Sequence, residues 1–234
     1  MPMVLLCHFD GTNGQTTSVD SSLSAHVLTF SPGIVLNTAQ QKFGASSLDM
    51  AGTVGSGVVS TPGNADFQFG SGQFTVECWI RITSALGGVN YGFVSQWTAA
   101  NNCSFYLGQG NSGQLCFIWS LTGSDTPLIS AAWAPALNTW HHIAADRDAS
   151  NVLRLYLNGV VMASSTVAST FFSSAANLQL ANNTFAATKL LGFLDEVRIL
   201  KGTAAYGGPF TPPSTPFPDP GGVGGAQARV SILA

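Results

Sequence analysis

Short apolar runs alternating with polar positions recur along this chain, each bounded by Gly, Asn, Ser or Pro, and this is the pattern of strands joined by turns. The runs fall at 3–9, 27–30, 47–50, 57–60, 73–82, 92–96, 103–107, 114–119, 139–147, 152–157, 160–165, 178–180 and 190–200. No stretch keeps a helical period. Thirteen strands are too many for a small barrel and fit two packed sheets, so the fold class expected is an all-β antiparallel sandwich. In FTVECWIRI the alternation assigns Phe74, Val76, Cys78 and Ile80 to the core face and Thr75, Glu77, Trp79 and Arg81 to the other. The same rule in GFLDEVRIL groups Phe193, Asp195, Val197 and Ile199 against Leu194, Glu196, Arg198 and Leu200. Between two runs, Asn158-Gly159 supplies the positive-φ pair of a type I′ hairpin turn.

The pattern changes at Gly207. GGPFTPPSTPFPDPGGVGG has Pro or Gly at nearly every second position and cannot form a central strand. The chain therefore divides into a sandwich over 1–206 and a tail over 207–234. Phe210 and Phe217 are expected to anchor the Pro-rich part along the sandwich. In the closing ARVSILA, Val230, Ile232 and Leu233 are expected to add as a strand to the edge of a neighbouring subunit or other protein.

Five segments carry a family resemblance: LLCHFDGTNGQTTSVDSS, AQQKFGASSLDM, FQFGSGQFTVECWIRI, NTWHHIAADRDASNVLRLYLNGVVMASS and GFLDEVRILKGTAAYGGPFTPPSTPFP. In this order, over about residues 3 to 218, they resemble the laminin-G-like branch of the concanavalin A-like lectin/glucanase superfamily. The resemblance implies a jelly-roll sandwich with one concave sheet. Copies ending in a block similar to the last are common in tailed-bacteriophage structural proteins and bacterial surface proteins. It also implies a rim calcium ion, here on Asp10, Asp20 and Asp195, since oxygen-only ligation is what Ca²⁺ selects. Asp20 is followed by SSLSAH and not by the Gly/Asn-rich loop that supplies carbonyl ligands, so for Asp195 a carboxylate accepting turn N–H groups stands as the other reading. No other cofactor is called for.

Composition narrows the partners. The 234 residues can bury one large core, and only 8% are charged, with a net charge of −3. Eight Lys and Arg scattered singly form no basic stripe for nucleic acid. MPMVLLCHFDG has no basic n-region and no run approaches the ~18 apolar residues of a membrane span, so neither signal peptide nor membrane partner is expected. Cys7, Cys78, Cys103 and Cys116 lie far apart and are expected as buried free thiols.

Catalysis is not expected. Glucanases of this fold place paired carboxylates in an E-x-D-x-x-E pattern, and this chain has only two glutamates, Glu77 and Glu196, neither with an acidic neighbour at that spacing. Asp146 and Asp148 share a strand face but read as a solvated turn. His141 and His142, being adjacent, point to opposite faces and cannot both reach one metal. A sugar ring needs an aromatic platform and a few polar groups, for which Trp97, Trp133, Trp119 and Tyr91 are the candidates, with sandwich core or loop anchor as the alternative reading for each. Trp79 and Trp140 read as structural. The function expected is that of a non-enzymatic bacteriophage virion surface protein, as capsid decoration or tail-fibre appendage. Its partners would be other virion proteins reached through the tail, further copies of itself as a homo-oligomer (a trimer first), and a host surface glycan. A free-standing carbohydrate-binding module or bacterial surface adhesin is the alternative.

Overall fold

The computed structural model describes residues 3–50, 57–181 and 190–221. In chain order the strands are β1 (Met3–Cys7), β2 (Thr29–Phe30), β3 (Val35–Asn37), β4 (Ser47–Asp49), β5 (Val59–Thr61), β6 (Phe74–Ile82), β7 (Tyr91–Trp97), β8 (Cys103–Gln109), β9 (Gln114–Trp119), β10 (Leu128–Ala132), β11 (Trp140–Arg147), β12 (Val152–Leu157), β13 (Val160–Thr166), β14 (Leu178–Leu180) and β15 (Gly192–Lys201). They form two antiparallel sheets. One has eight strands in the order β13-β12-β11-β6-β15-β4-β3, with β1 also on β15; the other has seven, β10-β9-β8-β7-β14-β5-β2. The only helical element among the described residues is the 3-10 turn Ala65–Phe67, and no described helix is long and apolar enough to cross a membrane.

Inward-facing residues of both sheets make one core. Phe74, Val76, Cys78 and Ile80 of β6 enter it as the alternation requires, opposite Phe105, Leu107 and Phe117. Phe69, Phe74, Phe105 and Phe117 stack at its centre, with Phe69 and Phe74 centroids 4.4 Å apart. All four cysteines are buried free thiols, small apolar fillers whose ionisation is suppressed by burial.

Two strands escaped the sequence pattern. β3 is three residues long, and β10 is an edge strand that buries only Ile129, so neither has an alternation to read. A third difference concerns facing. β15 does not keep its alternation, because between Asp195 and Arg198 the register on β6 shifts and Glu196 takes a φ of 48°. This bulge sets two residues against one. Leu194, Val197 and Ile199 face the core, while Asp195 pairs with Trp79 and Arg198 with Glu77 on the outer face, correcting the grouping of Asp195 with Val197 and Ile199.

That outer face is not open to solvent. The chain after β15 runs across it: Thr203 O accepts from Thr75 Oγ1, the Tyr206 and Gly207 N–H groups donate to Asp146, and Phe210 N donates to Gly159 O. Tyr206 and Phe210 stack with centroids 3.4 Å apart over His142 and Tyr156, and Phe217 lies beneath the Arg198 guanidinium at 3.8 Å. Phe210 and Phe217 thus pack on this chain's own sheet; Val230, Ile232 and Leu233 lie outside the described residues. The segment is a strap, held at its far end by His8, whose ring nitrogens approach Glu196 (2.7 Å) and Asp219 (3.2 Å). Burial opposes a charge on that imidazole, but the two carboxylates outweigh it and raise its pKa to about 9.

The β12–β13 hairpin has the expected turn, with φ of 50° at Asn158 and 80° at Gly159. It is also the strap's seat, since a Cβ at Gly159 would strike the Phe210 carbonyl. Gly159→Ala is expected to lower unfolding free energy by about 1–3 kcal/mol, from positive-φ strain plus that clash, read as a lower urea midpoint at unchanged slope.

Candidate functional site

On the outer face of the seven-stranded sheet, where Ser104, Tyr106 and Cys116 are themselves buried, a hollow opens beside Trp97. On β9, Leu115, Phe117 and Trp119 point into the core, which sends Gln114, Cys116 and Ile118 outward. The β7–β8 ladder has register shifts at Gly92–Val94 and Ser95–Trp97, and at the end of β7 Trp97 packs edge-on against outward-facing Tyr106, centroids 6.1 Å apart. Tyr106, Cys116 and Ile118 make a small apolar floor separate from the main core, and half-buried Trp97 is its wall. Asn90, Asn111, Ser112, Gln114, Thr126 and Ser130 form the rim of a hollow of about 150 Å³. Ser130 donates to Gln114 Oε1 at 2.9 Å across the β9–β10 pair, which fixes the amide.

Trp133 lines a neighbouring hollow of about 500 Å³ that shares Ser112 and so meets the first at the β8–β9 turn, and Tyr91 stands behind its wall at Gly87. Half-buried Trp133 donates its indole N–H to Gln109 Oε1 at 3.1 Å and packs on Phe93. Tyr91 packs on the core and its hydroxyl accepts from Gly87 N, on the wall of this second hollow. Trp119 is elsewhere: it lies in the core, 7% exposed, stacked on Phe171, and offers no platform. Of the four aromatic candidates, Tyr91 and Trp97 stand at opposite ends of β7, Trp133 joins the Tyr91 end through Gln109, and Trp119 is in the core. The amides and hydroxyls around them were not singled out from the sequence. Their signal was the parity of QLCFIW, whose odd positions are the core set and whose even positions therefore had to face something else.

The three aspartates offered for calcium are each engaged by backbone. Asp20 accepts from the N–H groups of Leu6, Ser22 and His26 at 2.9 Å each. Asp10 and Asp195 hold the 42–46 turn from two sides, Asp195 through Lys42 and Phe43 N–H, Asp10 through Ala45 and Ser46 N–H. Gly44 has a φ of +65° in this turn, and a Cβ there would strike the Asp10 carboxylate. Burial pushes the Asp195 carboxyl well above the ordinary carboxylate range, against the pull of those N–H groups. Among the described residues no three His, Cys, Asp or Glu side chains are placed to hold a metal.

The two glutamates lie under the strap. Glu77, fully buried, accepts from Arg198 at 2.6–2.7 Å, faces His142 Nε2 at 3.1 Å and accepts from the Tyr206 hydroxyl. Glu196 is taken by His8 and by Phe217 N at 2.8 Å. Neither is open to a substrate. Asp146 is not in a solvated turn either: it is fully buried and accepts from Tyr156, Tyr206 and Gly207, while Asp148 alone makes the turn, receiving Ser150 and Val152 N–H. His141 and His142 do point to opposite faces, His141 toward Ala136 O and Asn158, His142 toward Glu77 and Trp79.

Among solved structures the chain is similar to the binding domain of Paraclostridial Mosquitocidal Protein 1, with a TM-score of 0.68 at 14% identity, covering 87% of this chain and 50% of that one. Domain 4 of AbnA, a GH43 extracellular arabinanase from Geobacillus stearothermophilus, solved in complex with arabinotriose, gives 0.64 at 19%, covering 86% and 92%. The binding domain of Botulinum Neurotoxin DC in complex with SialylT gives 0.63 at 16%, covering 87% and 48%. The chain thus spans about half the length of these toxin binding domains and nearly all of the arabinanase domain. At such identities the likeness is one of fold. No curated protein matches the chain by sequence. Residues 53–204 match the laminin-G-type family described as the concanavalin A-like lectin/glucanases superfamily, and with most of its length inside that match the chain belongs to this family, as a lectin-like β-sandwich.

Proposed function

We propose that this chain is a non-catalytic carbohydrate-binding domain whose ligand sits beside Trp97 on the outer face of the seven-stranded sheet. The observation that carries this is the make-up of the hollow: an indole wall and an apolar floor for the apolar face of a pyranose or furanose ring, and a rim of amides and hydroxyls for its own hydroxyls. Trp133 extends the surface across Ser112. The complex of a similar fold with arabinotriose supports the reading. The absence of catalysis rests on Glu77 and Glu196, both committed to ion pairs under the strap. Trp97→Ala is expected to weaken oligosaccharide binding by tenfold or more, about 1.4 kcal/mol, with the fold intact by near-UV circular dichroism, because truncated aromatic anchors dominate such sites. Unchanged affinity would remove the site.

The setting we propose is the surface of a bacteriophage particle, with the sandwich displayed as capsid decoration or tail-fibre appendage, calcium-independent, and residues 222–234 docking on other virion proteins or on copies of itself in a homo-oligomer. The family's last block and the low charge of the chain support it. A free-standing carbohydrate-binding module or surface adhesin is the second reading, favoured by the near-complete overlap with the arabinanase domain. Co-sedimentation with a particle, lost on deleting residues 222–234, separates the two.

A further inference from the structure

Among the described residues the two sheets differ sharply in charge. The seven strands β2, β5, β7, β8, β9, β10 and β14 contain no Asp, Glu, Lys, Arg or His. All six described Lys and Arg side chains lie with the eight-stranded sheet and are occupied there. Arg147 donates to the carbonyls of Gly70, Gly72 and Ser169, Arg154 pairs with Asp148 at 2.7 Å, and Arg198 pairs with Glu77. Lys201 donates to Ala65 O, Lys42 sits 3.9 Å from the Trp79 ring centre, and Arg81 lies over Phe193. No charged side chain lines the hollow beside Trp97: its polar groups are amides and hydroxyls with the Cys116 thiol, and Leu128 and Gly110 complete the wall. The ionised group nearest along the chain is a carboxylate, Asp125, next to rim residue Thr126. Its Oδ1 accepts from Ser120 Oγ and from the Leu121 and Thr122 N–H groups, which hold its pKa well below the ordinary value and keep it charged.

We infer that this hollow selects uncharged glycans and turns away those bearing carboxylate, sulfate or phosphate; the inference rests on the carbohydrate reading above and names the class of ligand within it. An acidic sugar brings a full negative charge that loses water on binding, and proteins that accept such groups meet them with Arg, Lys or a cluster of backbone N–H donors. Here it meets indole, thiol, amide and hydroxyl groups, with a fixed carboxylate beside the rim. A neutral ring loses nothing of that kind, because each sugar hydroxyl exchanges a water hydrogen bond for one to an amide or hydroxyl of the rim. A site built this way also has no Coulomb attraction for salt to screen, so its affinity should not depend on ionic strength.

The experiment measures binding of the purified full chain to matched pairs of oligosaccharides differing in charge, galactan against galacturonan fragments and lactose-type against sialylated or sulfated lactose-type glycans. It is repeated at about 50 and 500 mM salt, where screening differs several-fold. The expected result is binding confined to the neutral member of a pair, at least tenfold tighter than the acidic one, unchanged by salt and lost in Trp97→Ala. Gln114→Ala, which leaves every ring in place, serves as the second variant and should weaken the same binding. If the acidic member binds as tightly or more tightly, or affinity falls several-fold with salt, the selection is overturned, while loss in either variant still upholds the site. If no member of either series binds, the carbohydrate reading falls as well.

Discussion

Arg147→Met should lower the unfolding free energy by about 3–5 kcal/mol, one of the two largest losses expected from a single substitution in this domain. Arg147 is a fully buried side chain at the end of β11, facing Phe74 and Phe171 across the core, with its guanidinium 4.3 Å from the Phe171 ring centre. Among the described residues it has no carboxylate partner. Its donors instead go to Gly70 O at 2.6 Å, Gly72 O at 2.6 and 3.0 Å and Ser169 O at 3.2 Å, closing one end of the sandwich by tying two loops to the sheet. Methionine fills much of the space but removes the hydrogen bonds to three carbonyls, each charge-assisted bond worth roughly 1.5–3 kcal/mol, part of it recovered because Gly72 and Ser169 are exposed and Gly70 O keeps the Phe171 N–H. Arg147→Lys keeps the charge and loses the planar fork, so it should be nearly as damaging, which a purely electrostatic role would not give. Urea unfolding of the three proteins reads the difference directly.

Glu77→Gln should cost a similar amount, about 3–5 kcal/mol, because it removes one partner of a buried ion pair and leaves Arg198 facing an amide beneath the strap. Burial alone would raise the Glu77 pKa; the hydrogen bond from His142 and the charge of Arg198 outweigh it, and the net direction is downward. A carboxyl whose folded pKa lies below its unfolded one stabilises the protein above the unfolded pKa and loses that contribution as pH falls through the folded one. The wild type should therefore lose this increment only below the ordinary carboxylate range near pH 4, and the stability of Glu77→Gln should show no such step there. The same variant bears on catalysis: a loss of stability with no hydrolytic rate to lose identifies Glu77 as a structural anion.

What could be read from the residues followed from where strict alternation held. In FTVECWIRI and QLCFIW every second side chain enters the core, so the sandwich, its antiparallel character and the Asn158-Gly159 turn were all legible. The grouping failed at Glu196, where one residue at positive φ shifts all that follows to the opposite face, and nothing in DEVRIL marks the bulge. The aspartate at 146 was read as solvated because its cover, Tyr206 and Gly207, lies 60 residues away across the strap. Trp97 and Trp119 look alike in sequence, and only the irregular β7–β8 ladder separates the surface ring from the core ring. The polar rim was hidden for a related reason. It gathers residues from the β6–β7 connection, the β8–β9 turn, the β9–β10 connection and two strands, none of which forms a motif alone.

The strap settles which way the molecule faces when it is tethered. Asp219 reaches His8, so the chain enters β1 and leaves the strap at one place on the eight-stranded side, while the hollow beside Trp97 opens on the opposite side. The described chain ends at residue 221 on this side of the domain. On the proposed reading, a protein immobilised through its C-terminus should keep the hollow beside Trp97 accessible, read as undiminished oligosaccharide capture on the immobilised protein.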